Sequence, residues 1–288
     1  MAAEANLTRT NIKAQEIDYV NQFGKQFKSL QDLLGIHEAI PLRVGDTIKT
    51  YKSSVTLAGG KVEPGEVIPL SEVKLEPADP ITLDYDKRRK AVPAEDIQRF
   101  GFERAVRKTD DVLLREIQKN IRKTLIDNLA TGKGKATGEG LQKALADAWG
   151  KVQVAFEDDA VTTVAFVNPE DVATYLGGAQ ITTQSVFGIR YLEDFLGVNI
   201  VFMHSAIEKG KAYVTAAQNL QLAYADVDGE LSKAFDFTKD DLGLIGILHD
   251  IQHERLTAET VTFAGVVVFA EVLNGVVVTT ITDPVPAA

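Results

Sequence analysis

The chain has 288 residues, of which 45% are hydrophobic and 25% are charged, a composition typical of a folded globular protein rather than a disordered one. It contains no cysteine, which excludes disulfide frameworks, thiolate metal sites and cysteine nucleophiles. Its formal net charge of −10 argues against non-specific binding to nucleic acid or to anionic membranes, because both require a basic face.

The N-terminal segment predicts an amphipathic helix that ends near Gly35. Apolar side chains recur there at the helical spacing of three or four residues: Ile17, Val20, Phe23, Phe27, Leu30, Leu33 and Leu34. The polar stretch before Ile17 has almost nothing to bury, so we expect an arm that finds its partner surface elsewhere. It also lacks the basic and apolar regions of a secretion signal, which favours an intracellular protein.

Residues 44–92 predict a long, polar β-hairpin. Alternation from Ile48 to Leu57 indicates one strand, Ala58–Glu66 forms a turn, and a second strand runs back. Ten or so residues per strand, at about 3.3 Å each, would make the hairpin roughly 30 Å long. Because so polar a ribbon is only marginally stable alone, we expect it to lie on another surface.

A long helix is the strongest pattern in the sequence. Its apolar side chains recur every four positions: Leu113, Ile117, Ile121, Leu125 and Leu129. We expect the helix to run from Asp110 to about Ala130, with Thr109 as its N-cap. Asp110 and Asp111 would then lie at the positive end of the helix dipole.

Charge is distributed unevenly around this helix. Residues 87–135 carry 14 basic and 7 acidic side chains, whereas residues 46–86 carry 4 basic and 8 acidic ones. The basic helix face is either solvated or a docking track for an acidic partner, and the acidic hairpin of a neighbouring copy is a candidate partner. The candidate intersubunit residues are Lys52, Lys61, Glu63, Glu66, Arg104, Arg107, Arg115, Lys119 and Arg122.

The glycine-rich segment 131–140 ends the helix. It superficially resembles a phosphate-binding loop, but it lacks the Gly-Lys-Ser/Thr ending and follows a helix instead of a strand. We therefore interpret it as a flexible linker between two subdomains. Another helix is expected at Leu141–Trp149.

The middle third predicts a compact α/β or α+β unit. Asn168-Pro169 is a helix start signal, for a helix that would end at Leu176. Strands are expected at Val161–Val167, Asn199–Met203, Ala212–Ala216 and Leu220–Ala225. After Leu231 the pattern is almost all strand, and Asn274-Gly275 predicts a hairpin between Gly265–Val272 and Val276–Thr282. Glu271 and this turn interrupt the most apolar segment, so we expect no membrane helix.

Two histidines four positions apart, His249 and His253, superficially resemble a zinc-hydrolase motif. That chemistry requires a helix, whereas the flanking residues predict strands, so we expect an exposed polar stretch in a strand region. His37 and His204 stand alone beside apolar residues and are interpreted as structural. We expect no catalytic, cofactor or metal site, and a metal-dependent hydrolase is the remote alternative.

The order of elements carries a family resemblance. An N-terminal arm, a long polar hairpin, a long basic helix, a middle α/β unit and a strand-rich return resemble the major capsid protein of tailed bacteriophages, with the Hong Kong 97-like fold. The stretches Val167–Val172, Leu196–Phe202 and Gly210–Val214 also look like that family. The resemblance covers the whole chain and implies an α+β fold.

The resemblance implies a division of the chain into five parts. These are an N-arm (1–43), an extended hairpin loop (44–92), a peripheral domain with a spine helix (93–149), an axial domain (150–230) and peripheral return strands (231–288). The implied function is self-assembly through pentamers and hexamers into an icosahedral shell, which encloses packaged DNA without sequence-specific binding. Such a protein is no enzyme, is assembled in the host cytoplasm and resides in the virion capsid.

Partners and an alternative follow from the same resemblance. Only about 40 residues precede the hairpin, so we expect a separate scaffolding protein, together with a portal protein. An encapsulin, the shell of a cellular nanocompartment, is the alternative within the same fold. The helix from Ile17 to Leu34 could then serve as a surface that binds cargo peptides.

Overall fold

The computed structural model describes residues 9–36, 38–49, 51–56, 58, 67, 70–77, 80–156, 161–177, 183–227 and 230–282. Within these residues the helices are α1 (Arg9–Leu34), α2 (Ala94–Phe100), α3 (Phe102–Ala130), α4 (Gly140–Ala155), α5 (Pro169–Leu176) and α6 (Glu230–Ala234). The strands of the first half are β1 (Ala39–Leu42), β2 (Thr47–Ile48), β3 (Tyr51–Thr56), β4 (Glu72–Pro77), β5 (Ile81–Thr82), β6 (Asp86–Pro93) and β7 (Gly134–Glu139). Those of the second half are β8 (Thr163–Val167), β9 (Gln184–Val186), β10 (Ile189–Phe195), β11 (Val198–Met203), β12 (Lys211–Ala216), β13 (Leu220–Ala225), β14 (Thr238–Lys239), β15 (Ile245–Gln252), β16 (Thr257–Ala264), β17 (Val266–Ala270) and β18 (Val277–Thr282).

The strands form three larger sheets and two ribbons. The largest sheet has seven strands in the order β7-β18-β12-β8-β11-β10-β9, and it is mixed, because β8 is parallel to β11 and β18 is parallel to β7. A four-stranded sheet has the order β14-β15-β16-β6, and a three-stranded sheet has the order β1-β13-β17. The ribbons β2·β5 and β3·β4 are antiparallel. The predicted α+β class is confirmed.

The main core lies where α1, α3 and the sheets meet. Most of the two predicted helical stripes is buried there, although Leu113 is only half-buried. Phe187 packs edge-on against both Phe23 and Phe27 at centroid distances of 5.6 and 5.3 Å. Burying such a side chain contributes about 1.5–3 kcal/mol. The predicted helix at Ile17–Leu34 is confirmed and starts earlier, at Arg9, although Ile17 itself lies on the exposed side.

The start of α3 corrects the prediction for the long helix. The helix begins at Phe102, after Gly101 with a φ of 81°, so Thr109 is an interior residue and no N-cap. The Thr109 hydroxyl donates to the Ala105 carbonyl oxygen at 2.8 Å, one turn back, and this leaves the helix continuous. Asp110 is likewise interior, two turns from the positive end of the helix dipole.

The glycine-rich segment is a strand, so the prediction of a flexible linker is wrong. β7 forms one edge of the seven-stranded sheet and pairs in parallel with β18. Its glycines are required by close packing, because a Cβ on Gly134 would meet Val277 Cγ2 at 2.9 Å and one on Gly138 would collide with the Ala144 backbone.

The Asn274-Gly275 hairpin is also a wrong prediction. Leu273–Gly275 is a 3₁₀ turn, and the strands on either side of it enter different sheets: β17 pairs with β13, and β18 pairs with β12 and β7. In contrast, α5 begins as predicted, with the Asn168 side chain accepting a hydrogen bond from the Glu170 amide at 2.8 Å. The predicted helix at Leu141–Trp149 is confirmed as part of α4.

The predicted polar hairpin is present, but its pairing is shorter than expected. Six residues of β3 pair with β4, two residues of β2 pair with β5, and the ladder between them is interrupted. Pro77 and Pro80 lie in the returning strand at that interruption, and proline cannot donate to a ladder. The predicted turn, apart from Ala58, lies outside the described residues. No helix of the described residues is long and apolar enough to cross a membrane.

Candidate functional site

The hairpin carries apolar side chains that its own chain leaves uncovered. Val67 and Leu70 are 91% and 95% exposed, and Val73 on β4 is also exposed. β3 passes beside the 3₁₀ turn Leu273–Gly275. Side chains this exposed gain free energy when another surface removes them from water. The hairpin is therefore suited to a contact with a second chain.

The predicted basic face of α3 lies in solvent. Arg104, Arg107, Arg115 and Lys119 are exposed. Arg107 faces Asp18 at 3.9 Å and Lys119 faces Glu116 at 3.6 Å, and exposed pairs of this kind contribute little to stability. These cations are therefore available to a partner of opposite charge.

The other predicted contact residues are placed differently. Lys52 lies opposite Glu76 in the β3·β4 ladder, with its side chain undescribed. Arg122 is half-buried, and its Nη1 atom donates to the Phe187 carbonyl oxygen at 2.5 Å, which ties α3 to the turn before β10. Lys61, Glu63, Glu66 and also His37 lie outside the described residues.

A buried charge cluster joins α1 to the rest of the chain. The His249 ring lies between two carboxylates, with Nδ1 3.0 Å from Glu16 Oε1 and Nε2 3.4 Å from Asp110 Oδ2. The prediction of an exposed polar stretch at His249 is therefore wrong, because this side chain is only 7% exposed. Lys90 completes the cluster, its Nζ 2.8 Å from Asp110 Oδ1.

The cluster connects five elements through hydrogen bonds as well as charge. The Thr238 hydroxyl donates to Glu16 Oε2 at 2.6 Å, and the Lys90 ammonium donates to the Val106 carbonyl oxygen at 2.7 Å. Burial lowers the pKa of Lys90, while the charge of Asp110 opposes that shift. Elements α1, α3, β6, β14 and β15 are thus held at one point.

A sequence signal for this cluster existed. Glu16 lies at the core-facing spacing of α1, four residues before Val20, and Asp110 holds the same relation to Leu114 in α3. His249 continues the buried alternation of Ile245 and Ile247 in β15. A charged residue at an apolar-stripe position indicates a buried partner, because an unpaired buried charge is costly. The sequence alone does not say which partner.

The cluster predicts a pH-dependent stability. Burial lowers the pKa of His249, but hydrogen bonds and charges from Asp110 and Glu16 outweigh it and raise the pKa to about 9. This folded-state pKa exceeds the unfolded value of about 6.5. The stabilisation of the folded state by protonated His249 is therefore complete below pH 6.5 and is lost as the pH rises through 9. We expect the free energy of unfolding, measured with urea, to fall by about 3 kcal/mol across that window. His249→Gln should remove this fall, whereas His253→Gln, an exposed control, should retain it; an unchanged profile in His249→Gln would contradict the assignment.

The structure does not support the hydrolase alternative. His249 lies in β15 and His253 in the following turn, so the helix that would place both rings on one face is missing. In the described part of the chain, no three His, Asp or Glu side chains are grouped so that they could hold a metal ion.

Comparisons with known proteins identify the fold. No family model matches the chain, and no curated protein matches its sequence. A virus-like particle from Pyrococcus furiosus matches with a TM-score of 0.51 at 12% identity, over 91% of this chain and 97% of that one. The encapsulin complex from Synechococcus elongatus matches with a TM-score of 0.51 at 11% identity, over 90% of each chain.

A phage structure matches equally well. The mature capsid of bacteriophage PhiM1 has a TM-score of 0.51 at 10% identity, over 85% of each chain. Identities this low establish architecture and leave function to other arguments. The arm helix, polar hairpin, long α3 and mixed sheets, together with these matches, show that the chain has the Hong Kong 97-like fold.

Proposed function

We propose that the chain is a shell protein and that copies of it assemble through pentamers and hexamers into an icosahedral shell. The observation that carries the proposal is the match of nearly the whole chain to three shell structures. The uncovered apolar side chains of the hairpin support it independently, because a second chain that covered them would gain stability from their burial. The proposed role is structural, and no enzymatic step is assigned.

The parts of the chain take the roles that the fold resemblance implies. In this proposal residues 1–43 are the N-arm, 44–92 the extended hairpin loop and 93–149 the peripheral domain around the spine helix α3. Residues 150–230 form the axial domain near the symmetry axes, and 231–288 return to the peripheral domain.

The proposed contact between copies pairs the hairpin with the basic face of α3 on a neighbour. Residues 46–86 carry more acidic than basic side chains, and residues 87–135 the reverse. The exposed cations Arg104, Arg115 and Lys119 are suited to receive the hairpin's acidic side chains. Complementary charge of this kind sets register and encounter rate more than affinity, so the apolar residues Val67 and Leu70 would supply the main stabilisation.

Within this function we favour a phage major capsid protein that encloses packaged DNA. The net charge of −10 supports it, because an inner wall that bound DNA tightly would hinder packaging and release. A scaffolding protein and a portal protein are its proposed partners. Its proposed location is the virion capsid, which is assembled in the host cytoplasm.

The second candidate is an encapsulin shell, which the Synechococcus match favours. A specific enzyme that co-purifies inside recombinant shells would indicate the encapsulin.

Electron microscopy of the purified protein, with light scattering after size exclusion, tests the proposal. We expect closed shells or rings of five and six subunits, because a heterologous contact whose rotation closes gives such assemblies. A stable monomer or dimer that ignores added scaffolding protein would contradict the proposed function.

A further inference from the structure

Three basic side chains line a pocket where α3 meets the seven-stranded sheet. Arg122 comes from α3, Arg190 from β10, and His204 follows β11 directly. The cavity has a volume of about 500 Å³. Its remaining wall is largely aliphatic and includes Val172, Leu176, Leu192 and Met203. We call this cavity the junction pocket.

In the part of the chain that the structure describes, no carboxylate forms an ion pair with either arginine of the junction pocket. None of the described residues that line the junction pocket is acidic, and in the described part of the chain neither arginine has a carboxylate oxygen within 4 Å. The acids of α5 are engaged elsewhere: Asp171 accepts from the Gly210 amide at 2.9 Å, and Glu170 faces Lys209 at 3.5 Å. Among the described residues, neither arginine is thus ion-paired, although the protein has a net charge of −10.

Arg122 is held in place by a hydrogen bond, but one of its buried donor atoms has no acceptor. Its Nη1 atom donates to the Phe187 carbonyl oxygen, while its Nε atom is buried without an acceptor in the structure. Burial lowers the pKa of this guanidinium, and the charge of Glu116 opposes that shift only in part. Because the half-buried guanidinium makes no ion pair among the described residues and its Nε lacks an acceptor, an anion in the pocket would be stabilising.

His204 adds a further donor to the pocket. Its Nδ1 atom accepts a hydrogen bond from the Ala206 amide at 3.1 Å, so the neutral ring carries its proton on Nε2. Burial, followed by the charge of Arg122, lowers the pKa of His204. Both groups line the junction pocket, so an anion there could contact both.

We propose that the junction pocket binds an oxyanion carried on a short aliphatic body. The headgroup would lie among Arg122, Arg190 and His204, and the body would pack against Leu176 and Met203. Carboxylates and phosphates both fit the planar donor fork of arginine. Because Arg122 belongs to α3 and Arg190 to β10, an occupant that bound both would fix the angle between α3 and the seven-stranded sheet. All of the described lining residues belong to one chain.

Calorimetric titration of the full chain with three probes tests the proposal. We expect saturable binding of hexanoate and hexyl phosphate and none of hexylamine, and the tighter of the first two identifies the headgroup. Arg190→Gln is the main variant because Arg190 is exposed and its loss should leave the fold intact. It should weaken binding at least about tenfold through loss of charge-assisted hydrogen bonds. Lys123→Gln, the same charge change on an exposed residue of α3, should bind as the parent does.

The titration of His204 supplies an independent readout. A bound anion favours the protonated ring, so hexanoate should raise the pKa of His204 when its imidazole signals are followed by nuclear magnetic resonance. Equal binding of hexylamine would overturn the proposal. So would an unchanged affinity in Arg190→Gln combined with a His204 titration that hexanoate does not shift.

Discussion

Deletion of residues 52–65 is expected to abolish closed shells while the subunit still folds. Within the deleted segment the described side chains are those of Thr56, which is exposed, and Ala58, which is half-buried, so the described part of this segment adds little to the core. Its loss should therefore change the free energy of unfolding only slightly. In the proposed shell the same segment lies on a neighbour, and its removal eliminates that contact from every subunit. Electron microscopy and urea unfolding of the same preparation measure both outcomes.

A double substitution tests the hairpin more sharply. Val67→Ser with Leu70→Ser alters two side chains that are almost fully exposed in the subunit. If a neighbour buries both, the change should cost about 3 kcal/mol or more per contact, which is roughly a hundredfold in association. Val154→Ser with Leu256→Ser is the matched control, because those residues are also exposed but lie outside the hairpin. Shells that form equally well with both double variants would contradict the hairpin's proposed role.

Asp110→Asn is expected to cause the largest loss of subunit stability. Asp110 is the shared partner of Lys90 and His249, both of which are largely buried. Removing one member of a buried ion pair typically costs about 3–5 kcal/mol, because the remaining charge is left uncompensated. Urea unfolding at pH 6, where His249 is protonated, gives the clearest measurement.

Two comparisons complete that experiment. Asp127→Asn makes the same change on an exposed residue of α3 and should lie within about 0.5 kcal/mol of the parent. Limited proteolysis should then release α1 more readily from Asp110→Asn, because Glu16 reaches the cluster through His249. A loss of stability equal to that of Asp127→Asn would show that the cluster does not hold α1.

Elements with a strong local period could be predicted from the sequence. The stripe from Leu113 to Leu129 and the cap at Asn168 depend on neighbouring residues, and the structure confirms both. Thr109 shows the limit of such signals, because its hydroxyl suits an N-cap and equally a bond one turn back within a helix. The bond one turn back forms because α3 already begins after Gly101, whose positive φ separates α2 from α3.

The charge cluster and the sheet partners could not be predicted for a different reason. Glu16 and His249 are separated by 233 positions, and no local pattern records that they meet. Asn274-Gly275 has the residues of a tight hairpin, but the competing pairings of β17 with β13 and of β18 with β12 and β7 determine the outcome. The junction pocket likewise assembles Arg122, Arg190 and His204 from three segments.

The position of β18 bears on the order of events during synthesis. β18 is the second strand of the seven-stranded sheet, between β7 and β12, so the edge strand β7 has no ladder partner in that sheet until residues 277–282 arrive. Pairings between segments so distant along the chain form slowly. A ribosome-bound chain that lacks β18 therefore holds an unfinished sheet in which β7 is separated from β12. In the proposed shell, subunits would become competent to associate only after residues 277–282 have emerged, which would separate the synthesis of the preceding strands from assembly in time.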